Sequence, residues 1–127
     1  MLELTINNVV YQFNFGMGFM KEINKRVTKV PNADIPEMKQ NVGLQFAVAG
    51  IIDGDVEVLA DVLDVANKGQ NPRATINTIY AYIDDENTDI DRLFETVLDF
   101  LKRANATKKI TLAVVEMVEK ERAKANA

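Results

Sequence analysis

Oxygen-bearing side chains near residue 88 have the alternate-residue spacing of a calcium-binding loop: Asp85, Asn87, Asp89 and Asp91. Such a loop also needs glycine at its sixth position and glutamate at its twelfth. Counted from Asp85, those positions hold Ile90 and Thr96, and a count from Asp84 fails at other positions. We therefore interpret the segment as a solvated acidic turn, followed by a helix that Thr88 caps.

A second acidic cluster offers carboxylates for metal-assisted hydrolysis: Asp53, Asp55, Glu57, Asp61 and Asp64. Asp61 and Asp64 fall on one face of a predicted helix, but that face is its polar side. The chain has no histidine and no cysteine, which excludes serine–histidine and cysteine–histidine catalysis and zinc sites of the usual kinds. The sequence therefore indicates no catalytic residues, no metal site and no cofactor, and we expect a protein that is not an enzyme.

Gly16-Met17-Gly18 resembles part of a glycine-rich phosphate loop. The third glycine and the βαβ setting of a nucleotide-binding fold are missing. We interpret these glycines as a backbone turn between a strand and a helix.

Length and composition indicate one globular domain. The chain has 127 residues, of which 47% are hydrophobic and 27% charged. Its first residues have neither the basic segment nor the apolar run of a signal peptide. The longest apolar stretch, residues 42–52, is far shorter than the ~20 residues that span a membrane. We expect a soluble intracellular protein with no membrane partner.

The net charge of −4 is unevenly distributed along the chain. Residues 53–99 carry three basic and twelve acidic groups, whereas residues 102–127 carry seven basic and three acidic groups. The negative middle argues against nucleic-acid binding by the body of the domain. The opposite signs suit head-to-tail self-association, and a solvated basic tail is the alternative.

The first 15 residues predict a β-hairpin with one apolar face. Apolar side chains occupy alternate positions on both sides of an Asn-Asn pair: Leu2, Leu4, Ile6, Val9, Tyr11, Phe13 and Phe15. Asn7-Asn8 supplies the tight turn. A lone two-stranded ribbon is marginal in water. The hairpin therefore either lies on helices or pairs its edges with another chain.

Helical periodicity follows the hairpin, and we predict about six helices. They comprise a helix at about 19–27, a second capped by Asp34 with Pro36 in its first turn, a third between Asp55 and Gly69, a fourth from Asn71-Pro72, a fifth capped by Thr88, and a sixth from about Lys108. The predicted class is α+β, mainly α. One domain spans 1–127, with a hairpin at 1–15, a helical body at 16–119 and a frayed polar tail at 120–127.

Apolar stripes predict which helix faces are buried. Residues 42–52 are apolar on nearly every side, as in a fully buried helix. On the third helix, Glu57, Asp61 and Asp64 are predicted to face water. The predicted inward stripes of the fourth and fifth helices are Ile76, Ile79, Tyr80 and Ile83, and then Ile90, Leu93, Phe94, Val97, Leu98 and Leu101.

The last helix is apolar on more than one side. Its predicted core stripe is Ile110, Ala113, Val114, Met117 and Val118. Leu112 and Val115 are also apolar and lie off that stripe. Such a helix is either sandwiched inside the monomer or carries a face for another chain.

The opening of the chain resembles a known family. Residues 4–11 read LTINNVVY, and residues 13–24 read FNFGMGFMKEIN. This pattern is similar to the start of phage tail assembly chaperones from siphophages of Gram-positive bacteria. It covers about the first quarter of the chain, and a Lys/Glu-rich end at 107–122 agrees with it. Asn8 stands where glycine is common in the family.

The resemblance implies a function through protein binding. Such chaperones bind the long helical tape measure protein, keep its apolar segments soluble, and help recruit tail tube subunits around it. It also implies self-association into a ring or spiral, and for many members a longer form made by programmed frameshifting. The expected location is the host cell cytoplasm, with the protein absent from the mature virion. We place candidate client contacts on Leu112, Val115 and Met117.

Three other functions are alternatives to the chaperone hypothesis. The chain could be a head–tail or tail adaptor that stays in the particle. It could be a nucleic-acid-binding regulator that uses the basic last helix, although no aromatic residues are interleaved with its basic ones. A carboxylate metalloenzyme is the third.

Overall fold

The computed structural model describes residues 1–26 and 42–125, and its architecture confirms the predicted class. An antiparallel hairpin precedes six helices in this part of the chain. The elements are β1 (Leu2–Ile6), β2 (Val9–Phe13), α1 (Met17–Arg26), α2 (Val42–Asp53), α3 (Val56–Asn67), α4 (Ile76–Asp84), α5 (Ile90–Arg103) and α6 (Lys108–Ala125). The predicted loop at 28–33 and the expected cap Asp34 with Pro36 lie outside the described residues.

The hairpin forms with the predicted turn and packs on a helix. Asn7 and Asn8 have φ values of 53° and 65°, the left-handed pair that a tight two-residue hairpin turn requires. Leu2 pairs with Phe13 across the strands, and both side chains are buried. The backbone N–H of Asn14 donates to the carbonyl of Ala66 at 2.8 Å, which ties the hairpin to α3. The apolar face therefore lies on helices, as one of the two alternatives predicted.

The glycines after β2 form the predicted turn into α1. The N–H of Gly16 donates to Oδ1 of Asn14 at 3.0 Å. The carbonyl of Gly16 accepts from the N–H of Met20 at 3.0 Å, which begins the first helical turn. Phe19 and Ile23 on α1 are then directed into the core.

Helix α2 is the centre of the helical body, because it contacts α1, α3, α5 and α6. Gly43 lies against the backbone of α1, and the N–H of Leu44 donates to Oδ1 of Asn24 at 2.9 Å. The prediction that this helix is buried on nearly every side is wrong for Gln45 and Phe46, which are exposed. The buried face consists of Gly43, Leu44, Ala47, Val48 and Ile51.

Helix α3 begins and ends where the sequence predicts. The side chain of Asp55 accepts hydrogen bonds from the N–H groups of Glu57 and Val58, which caps the helix. Gly69, with φ of 79°, follows the last residues of the helix and provides the left-handed conformation of its stop.

The segment after α3 corrects the predicted start of α4. That helix begins at Ile76, capped by Thr75, and not at Asn71-Pro72. The fully buried side chain of Asn67 holds the segment instead: its Oδ1 accepts from the N–H of Ala74 at 2.6 Å, and its Nδ2 donates to the carbonyl of Gln12 at 2.9 Å. These side-chain bonds hold a non-helical path that the local signal of a cap residue before proline does not encode.

Helix α5 starts one residue later than predicted, and its inward stripe is confirmed. Asp89 caps it, because its side chain accepts from the N–H of Arg92 at 3.1 Å. Thr88 is not the cap: its hydroxyl donates to the carbonyl of Tyr82 at 2.7 Å. All six residues of the predicted stripe belong to the core or pack against it: Ile90, Leu93, Phe94, Val97, Leu98 and Leu101.

Helix α6 packs on α2 and α5 and continues to Ala125, through most of the tail for which the sequence predicts fraying. Residues 119–125 are exposed.

Candidate partner-binding surfaces

The predicted core stripe of α6 is confirmed for Ile110, Val114 and Val118, which belong to the core or pack against it, but not for its other two residues. Thr111 and Val114 are buried, whereas Ala113 and Met117, which the sequence places in the core, are exposed. Thr107, just before the helix, is also fully buried, and its hydroxyl donates to the carbonyl of Leu101 at 2.8 Å. The buried side of the helix is therefore shifted from the predicted stripe toward Thr111, a polar residue that the stripe did not include.

The three predicted partner contacts lie on α6, but they do not form one patch. Leu112 is 51% exposed and Met117 is 63% exposed, while Val115 is half-buried. Leu112 and Val115 are three residues apart and share one flank of the helix. Met117 lies about 140° around the axis from Leu112, because consecutive residues turn by about 100°. The structure therefore offers two separate apolar surfaces on α6.

A further apolar surface lies between α3 and α4. Val56 and Ala60 on α3 face Tyr80 and Ile83 on α4 across a cleft of about 380 Å³. Tyr80 is 49% exposed, so its predicted place in the inward stripe is wrong; Ile79 is the buried residue of this helix. The rim of the cleft carries carboxylates. Sequence reasoning missed the cleft, although the acidic middle of the chain was a signal for its rim.

The acidic residues of α3 have structural roles. Asp64 is buried, which corrects the prediction that it faces water, because Arg73 donates to it at 2.8 Å and Arg26 donates to its other oxygen. Burial raises the pKa of Asp64, but the hydrogen bonds from both arginines outweigh burial and hold that pKa below its ordinary value. Arg26 also contacts Asp61 at 3.2 Å. This cluster joins α1, α3 and the segment before α4.

The described residues show no arrangement for metal chemistry. Within 1–26 and 42–125, no group of three or more acidic side chains is placed to hold a metal ion. Asp55 and Asp89 are engaged as helix caps, and Asp85 accepts from the N–H of Asn87 at 2.9 Å. No helix in the described part of the chain is long and apolar enough to cross a membrane.

A comparison with known protein families identifies the family of this chain. The family described as phage tail assembly chaperone protein, TAC, matches residues 3–116. The chain belongs to this family. Searches of curated proteins and of solved structures found no match.

The family match covers the hairpin and nearly all of the helical body of this tail assembly chaperone. It confirms the resemblance of the opening residues and extends it well beyond the first quarter of the chain. The matched range includes Leu112 and Val115 and ends one residue before Met117. The family is one of chaperones and is not an enzyme class.

Proposed function

We propose that this chaperone binds the tape measure protein of its phage, keeps it soluble, and promotes assembly of the tail tube around it. The observation that carries the proposal is the family match over residues 3–116. The proposed role is non-covalent, and no residue is assigned to catalysis.

The exposed apolar side chains support a binding role. A long helical client exposes apolar stripes, and such stripes bind to apolar helix surfaces and grooves between helices. Leu112 exposes half of its surface on α6, next to the half-buried Val115. Burial of a leucine side chain contributes about 1.5–3 kcal/mol. Contacts of this size hold a client and still allow its release when tube subunits replace them.

The remaining partners and the location are part of the same proposal. Tail tube subunits would be recruited to the complex, and a frameshifted longer form of the chain would supply additional contacts. The chaperone would act in the host cell cytoplasm, would assemble as a ring or spiral, and would be absent from the mature virion.

Co-expression with the tape measure protein of the same phage tests the function. We expect the client, insoluble alone, to become soluble and to elute with the chaperone. A client that stays insoluble beside abundant, folded chaperone would contradict the proposal. Detection of the chain in purified virions would instead favour a structural adaptor.

Leu112→Asp tests the placement of the client contact. We expect client binding to fall by about tenfold or more, because an aspartate in an apolar contact loses the burial energy and adds a charge that must be desolvated. Pull-down yield and titration by fluorescence anisotropy measure the change. Val115→Asp should act in the same direction.

Met17→Asp is the matched control for that variant, since Met17 is an equally exposed apolar residue at the start of α1. It should leave client binding unchanged. Circular dichroism establishes that each variant is folded. Normal binding by folded Leu112→Asp protein would show that the client contact lies elsewhere.

A further inference from the structure

No residue that the structure describes pairs with the outer edge of β1. The two-residue turn makes Ile6 and Val9 a hydrogen-bonded pair, and such pairs alternate with unbonded ones along an antiparallel hairpin. Glu3 and Thr5 stand at the unbonded positions, so their N–H and C=O groups point away from β2. On that side neither residue bonds to any part of the chain within 1–26 and 42–125. The edge of β1 thus presents the donor and the acceptor of both residues to an incoming strand.

The opposite edge of the hairpin is covered over part of its length by α3. The carbonyl of Gln12 accepts from Nδ2 of Asn67 at 2.9 Å, and the N–H of Asn14 donates to the carbonyl of Ala66 at 2.8 Å. These bonds leave β2 too little free edge for another strand. The edge that can receive one is therefore that of β1.

A groove runs along this edge, between β1 on one side and α4 and α5 on the other. Its wider part, of about 370 Å³, lies between Ile6 and the residues Tyr82, Asp85 and Asp89. A narrower part of about 160 Å³ lies beside Leu4 and is also lined by Tyr82 and Asp89. Because the two parts share residues, they form one channel along the strand, which we call the edge groove. A strand added to β1 would direct alternate side chains into it.

The wider part of the edge groove is acidic. Oδ1 of Asp85 accepts from the N–H of Asn87, and Oδ1 of Asp89 accepts from the N–H of Arg92. Neither carboxylate forms an ion pair with a residue in the described ranges. Both therefore retain an oxygen and a negative charge for a cation that enters beside Ile6.

The narrower part of the edge groove favours a different side chain. Leu4 and the buried Leu93 line it together with the half-buried Tyr82. The guanidinium-bearing Arg92 also lines this part and would repel a second cation. An apolar side chain is therefore the better occupant beside Leu4.

We propose that the edge of β1 binds an extended segment of another protein as an added strand, and that this segment has a basic residue two positions from an apolar one. The apolar side chain would lie opposite Leu4, and the basic one opposite Ile6. The alkyl stem of the basic residue would pack on Tyr82, and its charged end would reach Asp85 and Asp89. Backbone bonds provide affinity in this mode, and the two side chains provide specificity.

The charge of the groove selects this occupant, and the contact is distinct from the proposed client contact. An acidic or uncharged strand would leave both carboxylates unpaired beside it. The proposed client contact uses a helical partner and the flank of α6 that carries Leu112. The edge of β1 takes an extended partner through its backbone, so the inference goes beyond the proposed function.

A short peptide, capped at both ends, tests the proposal on the full-length chain. In this peptide arginine, valine and arginine alternate with threonine, so the pattern reads the same in both directions. Titration into isotope-labelled chain, followed by two-dimensional NMR, locates and measures binding. We expect saturable shifts of the amide signals of Glu3 and Thr5. Replacement of both arginines by glutamate should weaken binding by about tenfold.

The same peptide with methylated backbone nitrogens is the decisive comparison. It keeps every side chain but cannot donate hydrogen bonds to the carbonyl groups of Glu3 and Thr5. We expect its binding to be lost, because an added strand is held chiefly by backbone bonds. Normal binding of this peptide would overturn the proposal.

Thr5→Pro makes the corresponding change in the chain. It removes the outward N–H of Thr5, and proline is tolerated at an edge position whose N–H faces solvent. We expect peptide binding to weaken by about tenfold or more. Val10→Pro is the matched control, because Val10 pairs with Thr5 and its N–H points to the opposite edge. It should bind the peptide like the wild type.

Asp85→Asn with Asp89→Asn tests the charge without altering the strand. Asparagine keeps an oxygen that can accept the same backbone bonds, so the cap of α5 is retained. We expect peptide binding to weaken by about fivefold. Asp53→Asn with Asp55→Asn is the matched control, since it makes the same change in charge, also at a helix cap, outside the groove. It should bind normally.

Three results would overturn the proposal: shifts that spare Glu3 and Thr5, a folded Thr5→Pro chain that binds normally, or normal binding by the Asp85 and Asp89 variant. Shifts of the same amides with chain concentration alone would mean that a second copy occupies the edge, which also overturns it. If Thr5→Pro does not fold, the methylated peptide and the charge variant still decide. No tape measure protein is present, so the outcome is separate from that of the proposed chaperone function.

Discussion

Gly43→Ala is expected to destabilise the domain by about 3 kcal/mol, because an added methyl group has no room between two helices. A Cβ atom at this position would overlap the carbonyl oxygen of Ile23 and would lie 2.6 Å from the Cα of Asn24. Both are backbone atoms of α1, so relief requires α1 and α2 to separate. Alanine favours a helix over glycine by about 1 kcal/mol, which offsets only part of the cost.

Gly18→Ala is the control for that prediction. Gly18 lies in α1, and a Cβ atom there would meet nothing within 4 Å. The substitution should leave stability unchanged or raise it by less than about 1 kcal/mol. Urea denaturation of both variants, followed by circular dichroism, gives the comparison. Equal stabilities would mean that α1 and α2 do not pack as closely as the structure shows.

Asp64→Asn is expected to lower the free energy of unfolding by about 2 kcal/mol at neutral pH. The side chain of Asp64 is only 12% exposed and accepts hydrogen bonds from two arginines. Bonds to charged groups contribute about 1.5–3 kcal/mol each. The arginine side chains are 33% and 39% exposed, so water compensates part of the loss and the sum is reduced.

The effect of Asp64→Asn should depend on pH. The pKa of Asp64 in the folded chain lies below its ordinary value of 3.8. Its contribution to stability is therefore fully present well above pH 3.8 and is lost as the pH falls through the lower, folded-state pKa. The stability difference between wild type and variant should be constant near neutrality and shrink in acid. Denaturation curves measured across the acidic range provide the check.

Asp61→Asn separates the buried contact from a general charge effect. This substitution removes the same charge from the same helix, but the side chain of Asp61 is 55% exposed and its ion pair with Arg26 is 3.2 Å long. An exposed pair of this kind contributes less than about 1 kcal/mol. A loss as large as that of Asp64→Asn would show that net charge, and not the buried cluster, determines the effect.

The turns and helix ends that depend on residues close together in the sequence were predictable from the sequence. The Asn7-Asn8 turn, the Asp55 cap and the Gly69 stop depend on the conformations that these residues tolerate and on bonds within a few positions. The stripe of α5 was predictable for a similar reason, since its apolar residues repeat with a clear helical period. The family resemblance of residues 4–24 rests on this same local pattern.

The candidate surfaces were only partly predictable. Leu112 is exposed on α6 as a partner contact requires, but Met117 was also placed in the core, and the cleft beside Tyr80 was not foreseen. When a helix is apolar on several sides, its sequence does not indicate which side is covered by neighbouring helices. The buried side of α6 is set by its packing on α2 and α5, and that of α4 by its packing on α3.

The sequence by itself determined that the chain forms a hairpin followed by helices and belongs to the tail assembly chaperone family. It also contains no histidine or cysteine, so catalysis that needs these side chains is excluded. Only the tertiary structure decided that Asp64 is buried, that Asn67 holds the path into α4, and which face of α6 is exposed. Each of these depends on partners far away along the chain: Asp64 with Arg26, Asn67 with Gln12, and α6 with α2. Local propensity carries no information about such contacts, since their energy arises only when the distant segments meet.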